Sequence, residues 1–153
     1  MAQLSARQIA LKALRTWRNG KCFADSIITE LFANTELAPS DRAFALKLFY
    51  GVLRNLTMLD FWIGCLRASR IESDLRDILR LGLYQLFLLK TAQHAAVHET
   101  VSLAPKRQRA IINAMLRGAA TLPEVERNKN AQEIWKLAVE QVWSIGLVGQ
   151  SPN

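Results

Sequence analysis

An all-α bundle of about seven helices is the fold this sequence predicts, on three observations. Leu and Ala, both strong helix formers, together number 43 of 153 residues. Apolar residues recur at steps of three and four through nearly every segment. No run of four or more residues alternates cleanly between turn signals, as a half-buried strand would. Half of the residues are hydrophobic, enough to offset chain entropy, so a disordered chain is excluded. A chain of this length buries roughly 70% of its unfolded surface as one domain. That domain is expected over residues 1–143, with a flexible tail over 144–153.

Ser5 is placed to cap a first helix that ends near Asn19-Gly20, a left-handed stop signal. Ile9, Ala10, Ala13, Leu14 and Trp17 share one face of it. Arg7, Arg15 and Arg18 lie on the adjoining face, with Lys12 further round. A short helix follows over residues 24–32, then a polar loop through Asn34 and Pro39. Ser40 opens a long helix over 41–66, with an apolar spine of Ala45, Leu48, Phe49, Val52, Leu56, Leu59, Ile63 and Leu66. Residues 72–89 form a helix with Glu72, Asp74 and Asp77 near its positive end. From Ile78 to Leu89 only Arg80 and Gln85 are strongly polar, which belongs to a helix at the centre of a bundle. After a bend at 91–94 a short helix covers 95–104 and is stopped by Pro105. The next carries Ile111, Ile112, Met115 and Leu116 and stops near Gly118. A last helix over 131–142 has Ile134, Trp135, Ala138, Val139 and Val142 on one side. Gly51 and Gly82 fall inside helices, where each costs about 1 kcal/mol against Ala. Close helix–helix approach is the expected reason for them.

Several function classes find no support. The longest nearly continuous apolar stretch, residues 81–89, is far short of the ~18 residues a membrane span needs. Arg7, Lys12 and Arg15 interrupt anything like a secretory apolar core. An acid-free, Arg-bearing amphipathic start also fits an organelle transit peptide, but its apolar face is that of a core helix. Cys22 and Cys65 form no paired motif and read as reduced thiols in a cytoplasmic protein. The seven glycines contain no G-x-G after a strand to cradle a nucleotide. His94 and His98 are four apart, yet no third ligand accompanies them and the H-E-x-x-H order is absent. No nucleophile–base unit presents itself. We therefore expect no catalysis, no cofactor and no metal.

Charge carries the remaining chemistry. The formal net charge is +7, and it is unevenly spread. Residues 1–24 hold Arg7, Lys12, Arg15, Arg18 and Lys21 with no acid; residues 100–123 hold Lys106, Arg107, Arg109 and Arg117, again with no acid. Elsewhere acids slightly outnumber bases. Two basic zones on a near-neutral body point to a polyanion site, nucleic acid above all, against solubility as the plain alternative. Arginine's planar fork suits phosphate and exposed bases. The Lys106-Arg107-Gln108-Arg109 run also opens a helix, whose first amides favour phosphate. The expected RNA-contacting residues are thus Arg7, Lys12, Arg15, Arg18, Lys21, Lys106, Arg107 and Arg109. Trp17, Tyr84, Arg54, Asp60, Gln85 and Asn113 lie among core-spaced positions and read as packing or internal hydrogen-bonding groups.

Three stretches carry a family resemblance: Asp41-Arg42-Ala43 through Tyr50-Gly51-Val52-Leu53-Arg54 to Leu59-Asp60; Leu81-Gly82-Leu83-Tyr84-Gln85-Leu86 with His94-Ala95-Ala96-Val97 and Glu99-Thr100-Val101; and Ile112-Asn113-Ala114-Met115-Leu116-Arg117. With Ala6-Arg7 and Ala10 to Leu14, they make residues 5–118 resemble the NusB-like family. Within it, Val52-Leu53-Arg54 and Leu116-Arg117 are most similar to the N-terminal domain of RsmB-type ribosomal RNA cytosine-C5 methyltransferases. The resemblance implies two packed helical subdomains and RNA binding through a basic N-terminal region. In the free branch it implies a small ribosomal protein as partner during transcription antitermination and ribosomal RNA synthesis, and in the methyltransferase branch fusion to a catalytic domain, so a ribosomal protein and a methyltransferase are the candidate partners. The chain departs from the methyltransferase pattern in having no Pro-Cys motif, and residues 119–153 do not resemble the lead into a catalytic domain. The readings this leaves are a non-catalytic RNA-binding domain, a protein-docking module, and the N-terminal piece of a methyltransferase.

Overall fold

The structure, a computed structural model, describes residues 3–121. Seven α-helices and no strand occur among them: α1 Ala6–Arg18, α2 Ala24–Ala33, α3 Pro39–Arg54, α4 Leu56–Leu66, α5 Ser73–Leu83, α6 Gln93–Val101 and α7 Lys106–Ala120. The expected helix over 131–142, the domain limit at 143 and the tail lie outside the described residues.

Helix α1 begins as its sequence dictates. Ser5 Oγ accepts from the Gln8 amide at 3.2 Å, while Gln8 Oε1 accepts from the Ser5 amide at 2.7 Å. This reciprocal box satisfies two amides that the first turn leaves open. Ser5→Ala is expected to lower stability by about 1 kcal/mol, read as an earlier urea midpoint at unchanged slope. At the other end Gly20 takes φ +74°, the left-handed conformation a stop requires.

Several expected boundaries move. The helix over 41–66 is two helices, because Asn55 leaves the helical region at φ −117° and ψ 20°. Its Nδ2 donates to the Gly51 carbonyl at 2.7 Å, a side-chain bond that competes with the backbone ladder. The first of the two opens at Pro39 rather than after Ser40, since proline's missing N–H is harmless at a first helical position. The helix over 72–89 is α-helical only to Leu83 and then widens into a π-helical turn, Tyr84–Leu88, closed by Leu89 N–H to the Tyr84 carbonyl at 3.0 Å. The short helix ends at Val101 rather than 104, and α7 passes Gly118 to reach Ala120.

Two groups of helices make up the core. Helix α1 packs on α2 and α3, where Ala6, Ile9 and Ala45 are covered by Leu31, Phe32, Leu37 and Phe44. The second group gathers round α5, which packs against α1, α3, α4, α6 and α7. Ile78, Leu79, Leu81 and Leu83 have no exposed surface, as a central helix requires. The two interior glycines sit at close approaches. A Cβ on Gly51 would enter the Tyr84 ring, and one on Gly82 would lie 2.7 Å from Leu116 Cδ2.

Candidate nucleic-acid interface

Hydrogen bonds fix how the basic elements lie along α5. Arg7, near the start of α1, meets Gln85 just past the end of α5; Arg18, at the end of α1, meets Asp74 and Asp77 near the start of α5. The two helices therefore run antiparallel. Gln108 at the start of α7 bonds Glu72, and Leu116 lies over Gly82, so α7 runs parallel to α5. The end of α1 and the beginning of α7 thus both lie toward the N-terminal end of α5. One part of each acid-free window, the end of α1 and the opening of α7, lies toward the same end of one helix, while Arg7 lies at its other end.

Not every basic side chain there faces outward. Arg18 Nη2 lies 2.5 Å from Asp74 and its Nε lies 3.1 Å from Asp77; Arg15 Nε lies 3.5 Å from the same Asp74 carboxylate. Asp77 is fully buried and is also paired with Arg80 at 2.9 Å, which reaches Asp60 at 2.8 Å. Arg76 lies 3.5 Å from Asp60. Burial pushes the Asp77 carboxyl up, and the guanidinium groups of Arg18 and Arg80 pull it only part of the way back. Burial works to lower Arg80, but hydrogen bonds and charge from Asp60 and Asp77 outweigh it and hold the guanidinium up.

Arg7 donates from Nε to Gln85 Oε1 at 2.7 Å and lies over the Phe44 ring at 5.1 Å. Burial lowers its pKa, opposed by the charge of Glu99. Gln85 is itself fully buried and donates to the Leu81 carbonyl and to Thr100. Arg109 Nε donates to the Ala104 carbonyl at 2.9 Å, so it closes the turn after α6. Lys12, Lys21, Lys106 and Arg107 are exposed, and none has an ion-pair partner among the described residues. Of the eight expected residues, four are therefore open to solvent charge and four are tied to the fold. Asp60 and Gln85, read as internal polar groups, are found paired, and Tyr84 is found packed on Gly51.

Sequence reasoning passed over three residues at this end. Arg70 is exposed in the segment entering α5, and Arg76 sits on its second turn. Both fall outside the acid-free windows, where neighbouring acids masked them. Phe23 is 85% exposed just after the α1 turn; in one dimension it reads as another core aromatic. Among the described residues no group of three or more His, Cys, Asp or Glu gathers as metal ligands. No helix there is long and apolar enough to cross a membrane.

Comparison with known proteins gives this arrangement its relatives. The chain is 36% identical over 138 residues to a protein of Synechocystis sp. named probable ribosomal RNA small subunit methyltransferase B, covering 85% of this chain and 31% of that protein. It is 29% identical over 121 residues to a Bacillus subtilis protein of the same name, covering 77% and 27%. A Vibrio cholerae ribosomal RNA small subunit methyltransferase B matches at 36% over 92 residues, covering 56% and 21%. The chain thus spans about a third or less of the length of these relatives. They are of the methyltransferase branch that Val52-Leu53-Arg54 and Leu116-Arg117 resemble. The sequence model of the NusB family matches residues 4–121, which contain all of the helices described, and this chain belongs to that family.

Proposed function

We propose that this domain is a non-catalytic RNA-binding element acting in ribosomal RNA maturation, working with a small-subunit ribosomal RNA methyltransferase. The observation that carries the proposal is that basic residues of two separate windows, at the end of α1 and the start of α7, lie toward one end of α5. Lys21, Lys106 and Arg107 offer free cations there, Lys12 extends the patch along α1, and the amides opening α7 add a partial positive charge. Arg7, Arg15, Arg18 and Arg109 contribute field while they hold α1 and α7 in place. The names of the relatives support the methyltransferase setting over antitermination. The domain needs no cofactor or metal for this role, and its exposed thiols, Cys22 and Cys65, suit a reducing cytoplasm.

Fluorescence anisotropy with single-stranded fragments of small-subunit ribosomal RNA tests the reading. Affinity is expected to fall linearly with salt on logarithmic axes, with a slope of about −0.7 for each phosphate neutralised. Binding to a protein partner with no measurable RNA affinity at low salt would overturn it in favour of a docking module. Arg15 and Arg18 are poor choices for charge reversal, because a carboxylate at either would face Asp74 and unsettle the fold.

A further inference from the structure

We infer that the turn between α1 and α2 holds a stacking subsite for one unpaired nucleotide of RNA. The inference rests on the RNA-binding reading above and names the part of the surface that senses a base rather than a phosphate. A pocket of about 510 Å³ opens there, lined by Trp17, Arg18, Lys21, Phe23 and Arg80 among others, and no acid lines it. Gly20 makes it possible. Its left-handed φ of +74° turns the chain sharply after α1, and its amide bonds the Trp17 carbonyl at 2.9 Å. The turn leaves Lys21 and Phe23 projecting beside the half-buried Trp17.

Phe23 does nothing for the fold that Ala would not do. It stands at the N-cap of α2 without a side-chain capping bond, and 85% of its surface is in water. A single exposed apolar ring is ordinary on a protein surface, but this one borders a pocket of cationic side chains, where a ligand could cover it. The cover must fit a flat aromatic face ringed by cations. An unpaired base does so: its π face stacks on the ring and its phosphate lies against the ammonium group. Arg18 and Arg80 are already paired across Asp77, so Lys21 is the cation free to take the phosphate. A base within a duplex has its faces covered, so the subsite selects single strands.

The test uses the full 153-residue chain and two probes of equal length and charge, single-stranded oligouridylate and the same backbone without bases. Phe23→Ala is expected to weaken oligouridylate binding roughly 5- to 150-fold, the range for loss of one aromatic stack. Binding of the abasic strand should be unchanged, and Phe23→Trp should restore the preference for bases. Lys21→Ala should weaken both probes alike and flatten the salt dependence. If Phe23→Ala binds oligouridylate as tightly as the natural protein, or weakens both probes equally, the subsite is overturned while RNA binding stands. If the natural protein binds neither probe nor ribosomal RNA at low salt, both readings fall together.

Discussion

Replacing Arg80 with Ala is expected to lower the unfolding free energy by about 3–5 kcal/mol, the cost of breaking a buried ion pair by removing one partner. Arg80 is 13% exposed and bridges Asp60 on α4 to Asp77 on its own helix. Without it, Asp77 is a fully buried carboxylate held by Arg18 alone, and α4 loses its closest charged link to α5. The loss has a pH signature. Burial already holds the Asp77 carboxyl above the ordinary carboxylate range, and removing a cation raises it further. A carboxyl with a folded value above its unfolded one stabilises the native state when protonated. That contribution is complete below the unfolded value and is lost as pH rises through the folded one. The Arg80→Ala deficit should therefore be smaller in mild acid and grow toward neutral pH, as urea melts of both proteins would register. Adding Asp77→Asn should recover part of the loss, because it removes the orphaned charge. A deficit independent of pH and unaffected by Asp77→Asn would show that Arg80 acts only through packing.

Gly51→Ala is expected to cost about 2 kcal/mol, within the range for overpacking a tight core. Alanine ordinarily favours a helix over glycine by about 1 kcal/mol, so the sign is decided by what the new methyl meets. It would fall on the Tyr84 ring, whose residue is buried and begins the π-helical turn. The ring must swing away or α3 must separate from that turn. Gly64→Ala on α4 is the contrasting case: nothing lies within 4 Å of the added carbon, and a gain of about 0.5–1 kcal/mol is expected. Shortening the obstacle with Tyr84→Leu should remove most of the Gly51→Ala penalty. Equal gains from alanine at 51 and 64 would contradict the close approach of α3 to the π-helical turn.

How much of this was legible in the chain depended on how far apart the interacting residues lie. The Ser5 cap needs only Gln8, and the buried character of α5 is written in the apolar positions from Ile78 onward, which only Arg80 and Gln85 interrupt. The glycines at 51 and 82 signalled close packing because helices otherwise exclude them. The break at Asn55 was invisible, since the apolar spine runs through it without a change of step and the break comes from one side chain turning back to Gly51. The π-helical turn left no mark in the sequence either; it carries Gln85, whose side chain serves Arg7, Leu81 and Thr100 together. The basic windows were equally plain, but their pairing was not. Arg18 meets its acids 56 and 59 positions away, so a face that is acid-free in sequence is partly neutralised in space. Conversely, the end of α1 and the start of α7 both lie toward one end of α5, where the linear sequence shows only two separate basic zones.

Single charge reversals at the two ends of α5 distinguish a located RNA site from a general effect of net charge. Lys21→Glu, Arg107→Glu and Lys90→Glu change net charge equally, yet Lys90 follows the π-helical turn at the opposite end from the other two. All three residues are exposed, so each variant should melt close to the natural protein. Lys21→Glu and Arg107→Glu are each expected to weaken binding to single-stranded ribosomal RNA and reduce its salt slope, while Lys90→Glu changes neither. Equal losses from all three would mean that net charge alone drives binding and that the end of α5 shared by α1 and α7 is not the RNA site.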